Sequence, residues 1–200
     1  MITFEAASEG DFEELLVLRL AAMRPSLARL GRFDAARSRE RFRASFDARF
    51  TRHICVDGQR VGFVALKPTA EGLLLDHLYI HPSAQGRRIG GEVLATVLAA
   101  ADAEGRTLFV TALRDSDSNR FYQRHGFVVI NESEWDVHYR RLPGERDSSS
   151  GSLLPAEYAQ RDGEAEDAPG RQHRELETDG GERPGLVVDA ADGVVGGGER

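Results

Sequence analysis

Apolar and polar positions along residues 1–142 follow two alternating periods, and each change of period marks an element. "ITFEA" at 2–6 alternates as a short strand. Phe12, Leu16, Leu20 and Met23 then recur at helical spacing with Leu15 beside them, up to Pro25, which is expected to break or bend the helix. A second helix is predicted from Asp34, a suitable N-cap, with Phe42, Phe46 and Phe50 at i, i+4 and i+8. That stripe reads as core, and Arg37, Arg39, Arg41 and Arg43 fall mostly elsewhere on the cylinder as a solvated face.

Period two returns in "HICV" and "RVGFVAL", which flank Asp57-Gly58, a tight-hairpin dipeptide. "LLLDHLYIH" follows after a short loop containing Gly72, so the three runs form an antiparallel meander. Ile89, Val93, Val97, Leu98 and Ala101 line one side of a third helix, closed by Gly105. "TLFVTAL" is a strand, "SDSNRFYQRH" a helix ended by Gly126, and "FVVI" with "WDVHYRRL" a last hairpin. The sum is an α+β fold whose sheet centres on a strand, glycine loop, helix, strand unit.

Composition changes this picture at one place. Residues 143–200 hold 14 acidic and 6 basic side chains, 11 of the 21 glycines and a single aromatic, Tyr158. Such a stretch buries too little apolar surface to offset the entropy of ordering it, so it is expected to be a disordered acidic tail. A shifted reading frame or a diverged extension would give the same abrupt change of character. Without it the formal charge of -7 disappears, because residues 1–142 carry 19 acidic and 20 basic groups. A near-neutral body offers no global field for nucleic acid. Cys55 is the only cysteine, which excludes an intrachain disulfide and reads as a buried thiol in a strand. No run approaches the ~18 apolar residues of a membrane span, and the N-terminus lacks a signal-peptide pattern, so a cytoplasmic location is expected.

Candidate chemistry concentrates in "HPSAQGRRIGGEVL", which joins a strand to a helix. A helix start exposes unpaired N–H groups and the positive end of the macrodipole, and glycines let an anion approach them closely. Gly86 to Gly91 has the spacing of a nucleotide P-loop, yet Glu92 and Val93 replace its lysine and hydroxyl residue. The dinucleotide pattern G-x-G-x-x-G fails on spacing.

"PSAQGRRIGGEVL" resembles the acyl-CoA pyrophosphate loop of the GNAT-type N-acetyltransferases, [QR]-x-x-G-x-[GA]. Gln85 and Gly90 match its ends, and Arg88 stands where the middle glycine belongs. "LDHLYIHP" resembles the family's fourth strand, "SNRFYQRHGF" its A-x-x-[FL]-Y-x-x-x-G-F helix, and "HYRR" its closing strand. The resemblance covers residues 2–142. It implies a GNAT-like acyl-CoA N-acyltransferase fold, with a central, mostly antiparallel mixed sheet splayed at strands 4 and 5 and flanked by helices.

The same resemblance implies acetyl-CoA as co-substrate, no metal, and a primary amine of a small molecule or peptide as acceptor. The backbone of Leu78, Tyr79 and Ile80 would pair with the pantetheine arm. Gln85, Gly86, Arg87, Arg88, Ile89, Gly90 and Gly91 would hold the pyrophosphate, with Asn119 also on the cofactor. Tyr122 stands at the position of the family's proton donor to the leaving thiolate. For the base, Asp76 and His77 are expected on opposite strand faces, and His138 and Asp136 are the other candidates. Arg24 and Arg32 could bind a carboxylate on the acceptor. A non-catalytic acyl-CoA-binding sensor is the alternative reading. Nucleic-acid binding through the arginine-rich second helix is disfavoured, because no exposed aromatic platform accompanies it. A homodimer stays open.

Overall fold

A computed structural model describes residues 1–29, 31 and 34–144. The tail expected at 143–200 lies outside the described residues from 145 onward, and so does Arg32. The elements run β1 (Ile2–Ala6), α1 (Phe12–Arg29), α2 (Ala35–Ser45), β2 (Thr51–Val56), β3 (Gln59–Thr69), β4 (Gly72–Ile80), α3 (Ile89–Glu104), β5 (Leu108–Leu113), α4 (Asp117–Arg124), β6 (Val128–Glu132) and β7 (Asp136–Arg141).

The local signals act as their chemistry requires. Asp34 caps α2 by accepting from the Arg37 amide at 3.0 Å. Asp57 and Gly58 both take positive φ, 51° and 79°, in the β2–β3 hairpin turn. Gly105 (φ 66°) ends α3, and the Arg106 amide reaches back to the Ala101 carbonyl at 2.9 Å.

Two helical expectations are corrected. Of the break or bend expected at Pro25, the break does not occur: α1 runs on to Arg29. The lost N–H costs one hydrogen bond, while Ala22, Met23 and Ser26 on either side are buried against the body. The phenylalanine stripe is not one helix, because α2 stops at Ser45 and Phe46 is already extended (φ −68°, ψ 129°). Asp47 then starts a separate turn at Ala48–Phe50 by accepting from the Arg49 amide at 3.0 Å. Phe42 and Phe46 still meet Phe12, with ring centroids at 5.2 and 5.5 Å, whereas Phe50 lies under the Arg49 guanidinium.

The seven strands form one sheet in the order β1-β2-β3-β4-β5-β7-β6. All neighbours are antiparallel except β4 and β5. Two cores lie on its two faces. α3 and α4 pack on one through Val93, Leu94, Val97, Phe121 and Tyr122, against Leu75, Leu78, Val110 and Tyr139 of the sheet. α1 and α2 pack on the other through Phe12, Leu15, Met23 and Phe42, against Phe63, Tyr79 and Leu113.

Two irregularities shape the centre. Ala65 faces His77 while Leu66 faces Leu75, so Asp76 is an extra residue, a β-bulge in β4. The parallel ladder between β4 and β5 joins only Leu73 to Leu108, Leu74 to Phe109 and Leu75 to Val110. A bulge bends its strand, and from Asp76 onward β4 has no partner on its β5 side. The result is a wedge-shaped gap between residues 76–80 and 111–113.

Candidate active site

The glycine-rich loop closes one end of this gap. A single turn at Pro82–Ala84 leads to Gln85, whose Nε2 donates to the Ile80 carbonyl at 3.0 Å and ties the loop to the end of β4. Gly86 (φ 76°) and Arg88 (φ 62°) then take left-handed conformations. Arg88 occupies the middle-glycine position of the loop pattern, and its positive φ explains why glycine suits that place. α3 starts at Ile89, with its first bond from the Glu92 amide to the Arg88 carbonyl at 3.1 Å. The amides of residues 89–91 therefore precede the helical ladder.

What a methyl group would meet at each glycine separates two kinds. At Gly62 it would lie 2.3 Å from the Tyr79 carbonyl oxygen, and at Gly72 2.1 Å from that of Thr107. Those glycines serve the fold. At Gly90 it would meet only Ile80 Cγ1 at 4.0 Å, and at Gly91 nothing within 4 Å. No packing requires these two glycines, and their open side is the start of α3, with the Arg87 and Arg88 side chains exposed beside it.

Backbone direction along β4 decides which groups face the gap. The His81 amide bonds the Val61 carbonyl of β3 at 2.7 Å, and the Tyr79 carbonyl also points toward β3. Alternation then turns the polar groups of Leu78 and Ile80 toward the gap. Gln85 already holds the Ile80 carbonyl, while Tyr79 directs its backbone to β3 and its ring to the α1/α2 core.

On the α3/α4 side, Tyr122 is fully buried, its ring 5.3 Å from Phe121, 5.4 Å from Phe127 and 6.2 Å from Tyr139. Asn119 proves to be a brace. Its Nδ2 donates to the carbonyls of Leu113 (2.8 Å) and Ser116 (2.9 Å), and its Oδ1 accepts from the Tyr139 hydroxyl at 2.8 Å. Both ends of the carboxamide thus join β5, α4 and β7.

The α1/α2 side carries the titratable groups. Because Asp76 is the bulge residue, it and His77 both approach this face, and the alternation expected from sequence fails here. Asp76 is 0% exposed, and its Oδ2 pairs with the Lys67 ammonium, which also donates to the Ser45 carbonyl. Burial raises the Asp76 pKa above the ordinary carboxylate value, against the opposing pull of Lys67 and Arg19. His77 sits among Phe42, Phe63 and Tyr79, with Nε2 3.1 Å from the Ser45 hydroxyl. Burial first, then Arg19 and Lys67, holds it well below the usual imidazole range, so it is neutral.

Across the gap, His138 Nδ1 lies 2.9 Å from the Thr111 hydroxyl, and both residues are on this same face. Asp136, opposite Leu113, has a buried Oδ1 without a partner, and burial raises its pKa against the pull of His138 and Arg41. Of the arginines expected near the acceptor, Arg24 is exposed on α1. Arg19 and Lys67 were missed by the sequence reading. Arg19 was nonetheless signalled, since it continues the spacing of Phe12, Leu16 and Met23 within the buried stripe.

A separate cleft of about 510 Å³ lies at the end of β5, between the tip of α1, α4 and the β6–β7 hairpin. Its arginines are already matched, Arg114 to Glu132 at 2.8 Å and Arg120 to Asp117 at 2.6 Å. Among the described residues no three His, Cys, Asp or Glu side chains are grouped to hold a metal, and no helix is long and apolar enough to cross a membrane.

This arrangement of a split parallel pair, a glycine loop and a helix start has counterparts among known proteins. Residues 50–129 match the family model described as an acetyltransferase (GNAT) domain. Over that span the chain is similar to the GNAT acetyltransferases. No curated protein matches the sequence. Solved structures agree on the fold. PaiA N-acetyltransferase from Thermoplasma acidophilum, crystallised with coenzyme A, superposes with a TM-score of 0.59 at 18% identity, covering 71% of this chain and 99% of that one. The ribosomal-protein-S18-alanine N-acetyltransferase of Escherichia coli gives 0.56 at 13% identity, with 78% and 99% covered. An acetyltransferase from Thermus thermophilus gives 0.55 at 22% identity, with 71% and 97% covered. The matched span runs from the start of β2 into β6, so it includes the loop and Tyr122 but stops before Asp136 and His138.

Proposed function

We propose that this chain transfers the acetyl group of acetyl-CoA to a primary amine of a small molecule or peptide, by direct attack in a ternary complex. The observation that carries the reading is the pair Gly90 and Gly91, where a Cβ would meet no close neighbour, at a helix start without a side-chain cap. Those amides, with Arg87 and Arg88 beside them, suit a pyrophosphate. From there the pantetheine arm would run into the gap and pair with the inward backbone of Leu78 and Ile80 as an added strand does.

The chemistry then divides between the faces. The acyl arm enters beside α3, so the amine has to come from the α1/α2 side. Its nitrogen attacks the thioester carbonyl, and the Leu78 N–H is placed to receive charge on the oxygen. The C–S bond breaks as the tetrahedral centre collapses, and the Tyr122 hydroxyl supplies a proton to the departing sulfur. The proton released by nitrogen goes to the β7 pair, His138 and Asp136. Asp76 is sealed and held by Lys67, so it acts on the shape of β4 rather than on the amine.

The test is calorimetry of acetyl-CoA binding to the full chain and to Gly90→Val. A branched side chain at an otherwise open position should weaken binding about tenfold or more while leaving the melting temperature within about 2 °C. Equal affinities would sink the assignment of the loop. Acetyl-CoA binding without turnover on any amine would instead favour a sensor.

A further inference from the structure

Native proteins leave few buried polar atoms without partners, and each exception calls for a reason. Among the described residues, the buried polar atoms without a hydrogen bond include His53 Nε2 on β2 and, nearer the gap, Arg19 Nε, Asp76 Oδ1, His77 Nδ1 and Asp136 Oδ1. The last four belong to the α1/α2 side of the sheet, on β4, over it, or on β7 beside β5. Buried polar atoms without partners beside the gap are what a polar ligand entering it would satisfy.

The charges among them are not balanced. Lys67 is matched by Asp76. Arg19 has no carboxylate within ion-pair distance among the described residues, although it is only 5% exposed. Its hydrogen bond is from Nη1 to the Ser38 carbonyl at 3.3 Å, and its guanidinium lies 5.7 Å from the ring centroids of both Phe42 and Tyr79. A buried cation held by one carbonyl and two ring faces is expensive unless an anion completes it. Tyr79 is the neighbour of Leu78 on β4, so this cation stands over the strand that borders the reaction. On the opposite wall the unpartnered group is an acceptor, Asp136, beside His138.

We propose that Arg19 binds a carboxylate of the acceptor, which makes the acceptor an amino-acid-type amine, carrying its amine and its carboxylate in one small molecule. The proposal rests on the transferase reading above and narrows its acceptor class. The carboxylate lies under α1 on Arg19, a partner suited to forked recognition of planar anions. The amine points across the gap to the β7 wall, where an ammonium would meet Asp136 before losing its proton. Arg24 and Arg32 are not needed.

The experiment pairs each common α-amino acid with its own carboxamide, adding simple alkyl amines and a diamine, and uses the full chain. Turnover with acetyl-CoA and calorimetric binding to the CoA-saturated protein are both read. For the best acceptor, the carboxylate form should exceed its carboxamide by roughly 10- to 100-fold, mainly in KM or Kd, as expected for a charge-assisted hydrogen-bonded pair. Arg19→Gln should erase that ratio, and Arg19→Lys should restore part of it. Should Arg19→Gln fail to fold, the comparison within wild type still decides. Carboxamides or diamines binding as well as carboxylates, or a carboxylate preference that survives Arg19→Gln, would overturn the proposal, as would no binding by any amino acid. Amino acids that bind through Arg19 without turnover would leave the carboxylate site standing and overturn the transferase reading instead.

Discussion

The two faces of the sheet at the gap hold their polar groups differently. On the α3/α4 face, Asn119 spends both ends of its carboxamide on β5, α4 and β7, and Gln85 ties the loop to Ile80. On the α1/α2 face, Arg19, Asp76, His77 and Asp136 keep buried atoms without partners. One face is built as a rigid cradle, its backbone left bare only where Gly90 and Gly91 need no neighbours. The other holds unmet hydrogen-bonding capacity at a cost in stability. The difference is that expected between a site for an invariant cofactor and a site for a selected substrate.

The largest effect should come from confusing the two kinds of glycine. Gly62→Ala drives a methyl group into the Tyr79 carbonyl, so we expect a loss of about 3 kcal/mol, seen as a fall in melting temperature on the order of 10 °C. Gly91→Ala, on the open side of the loop, should melt with wild type. If both melt alike, the division between fold glycines and ligand glycines is wrong.

Next is Tyr122→Phe, which removes the hydroxyl and keeps the ring among Phe121, Phe127 and Tyr139. With an accepted amine, kcat should fall about 100-fold and KM for acetyl-CoA should stay within about twofold. Unchanged kcat would make Tyr122 a core residue only.

The smallest effects separate satisfied from stranded carboxylates through pH. Asp11, at the start of α1, accepts from the Ser8 amide and the Ser8 hydroxyl, both at 2.7 Å, and these bonds lower its pKa to about 2. Its folded pKa lies below the ordinary 3.8, so its contribution is complete above pH ~4 and is lost as pH falls through about 2. Asp11→Ala should therefore cost about 1–2 kcal/mol at pH 7 and much less at pH 2, by chemical denaturation. Asp136 has the opposite sign. Its folded pKa is raised, so its charge begins to destabilise the fold as pH rises past 3.8 and does so fully above its folded value. Asp136→Asn should gain on the order of 1 kcal/mol or less at pH 7 and nothing near pH 3, while turnover drops. A variant that is less stable at pH 7 than wild type would show that Asp136 is a structural acid.

What could be read in the sequence was local. Element periods, the Asp34 cap, the Asp57-Gly58 turn, the Gly105 stop and the glycine loop each depend on residues within a few positions of one another, and all appear as expected. The loop turn and the short α4 were legible because their motifs are short and contiguous. Pro25 and the phenylalanine stripe misled because docking of Ala22, Met23 and Ser26 outweighs one lost hydrogen bond, and because Asp47 captures the Arg49 amide before α2 can continue. On the α1/α2 side the sequence named Asp76, His77, Asp136 and His138 but not their arrangement. The bulge at Asp76 exists only in the register between β3 and β4, and the charge balance around Arg19 only once α1, α2 and β4 are packed together. Sequence alone determined most of the helices and strands and the glycine-rich turn before α3, since these follow from short-range sterics and hydrogen bonding. Tertiary structure decided which face each titratable group serves and which of them goes unmatched, since those depend on pairings between residues dozens of positions apart.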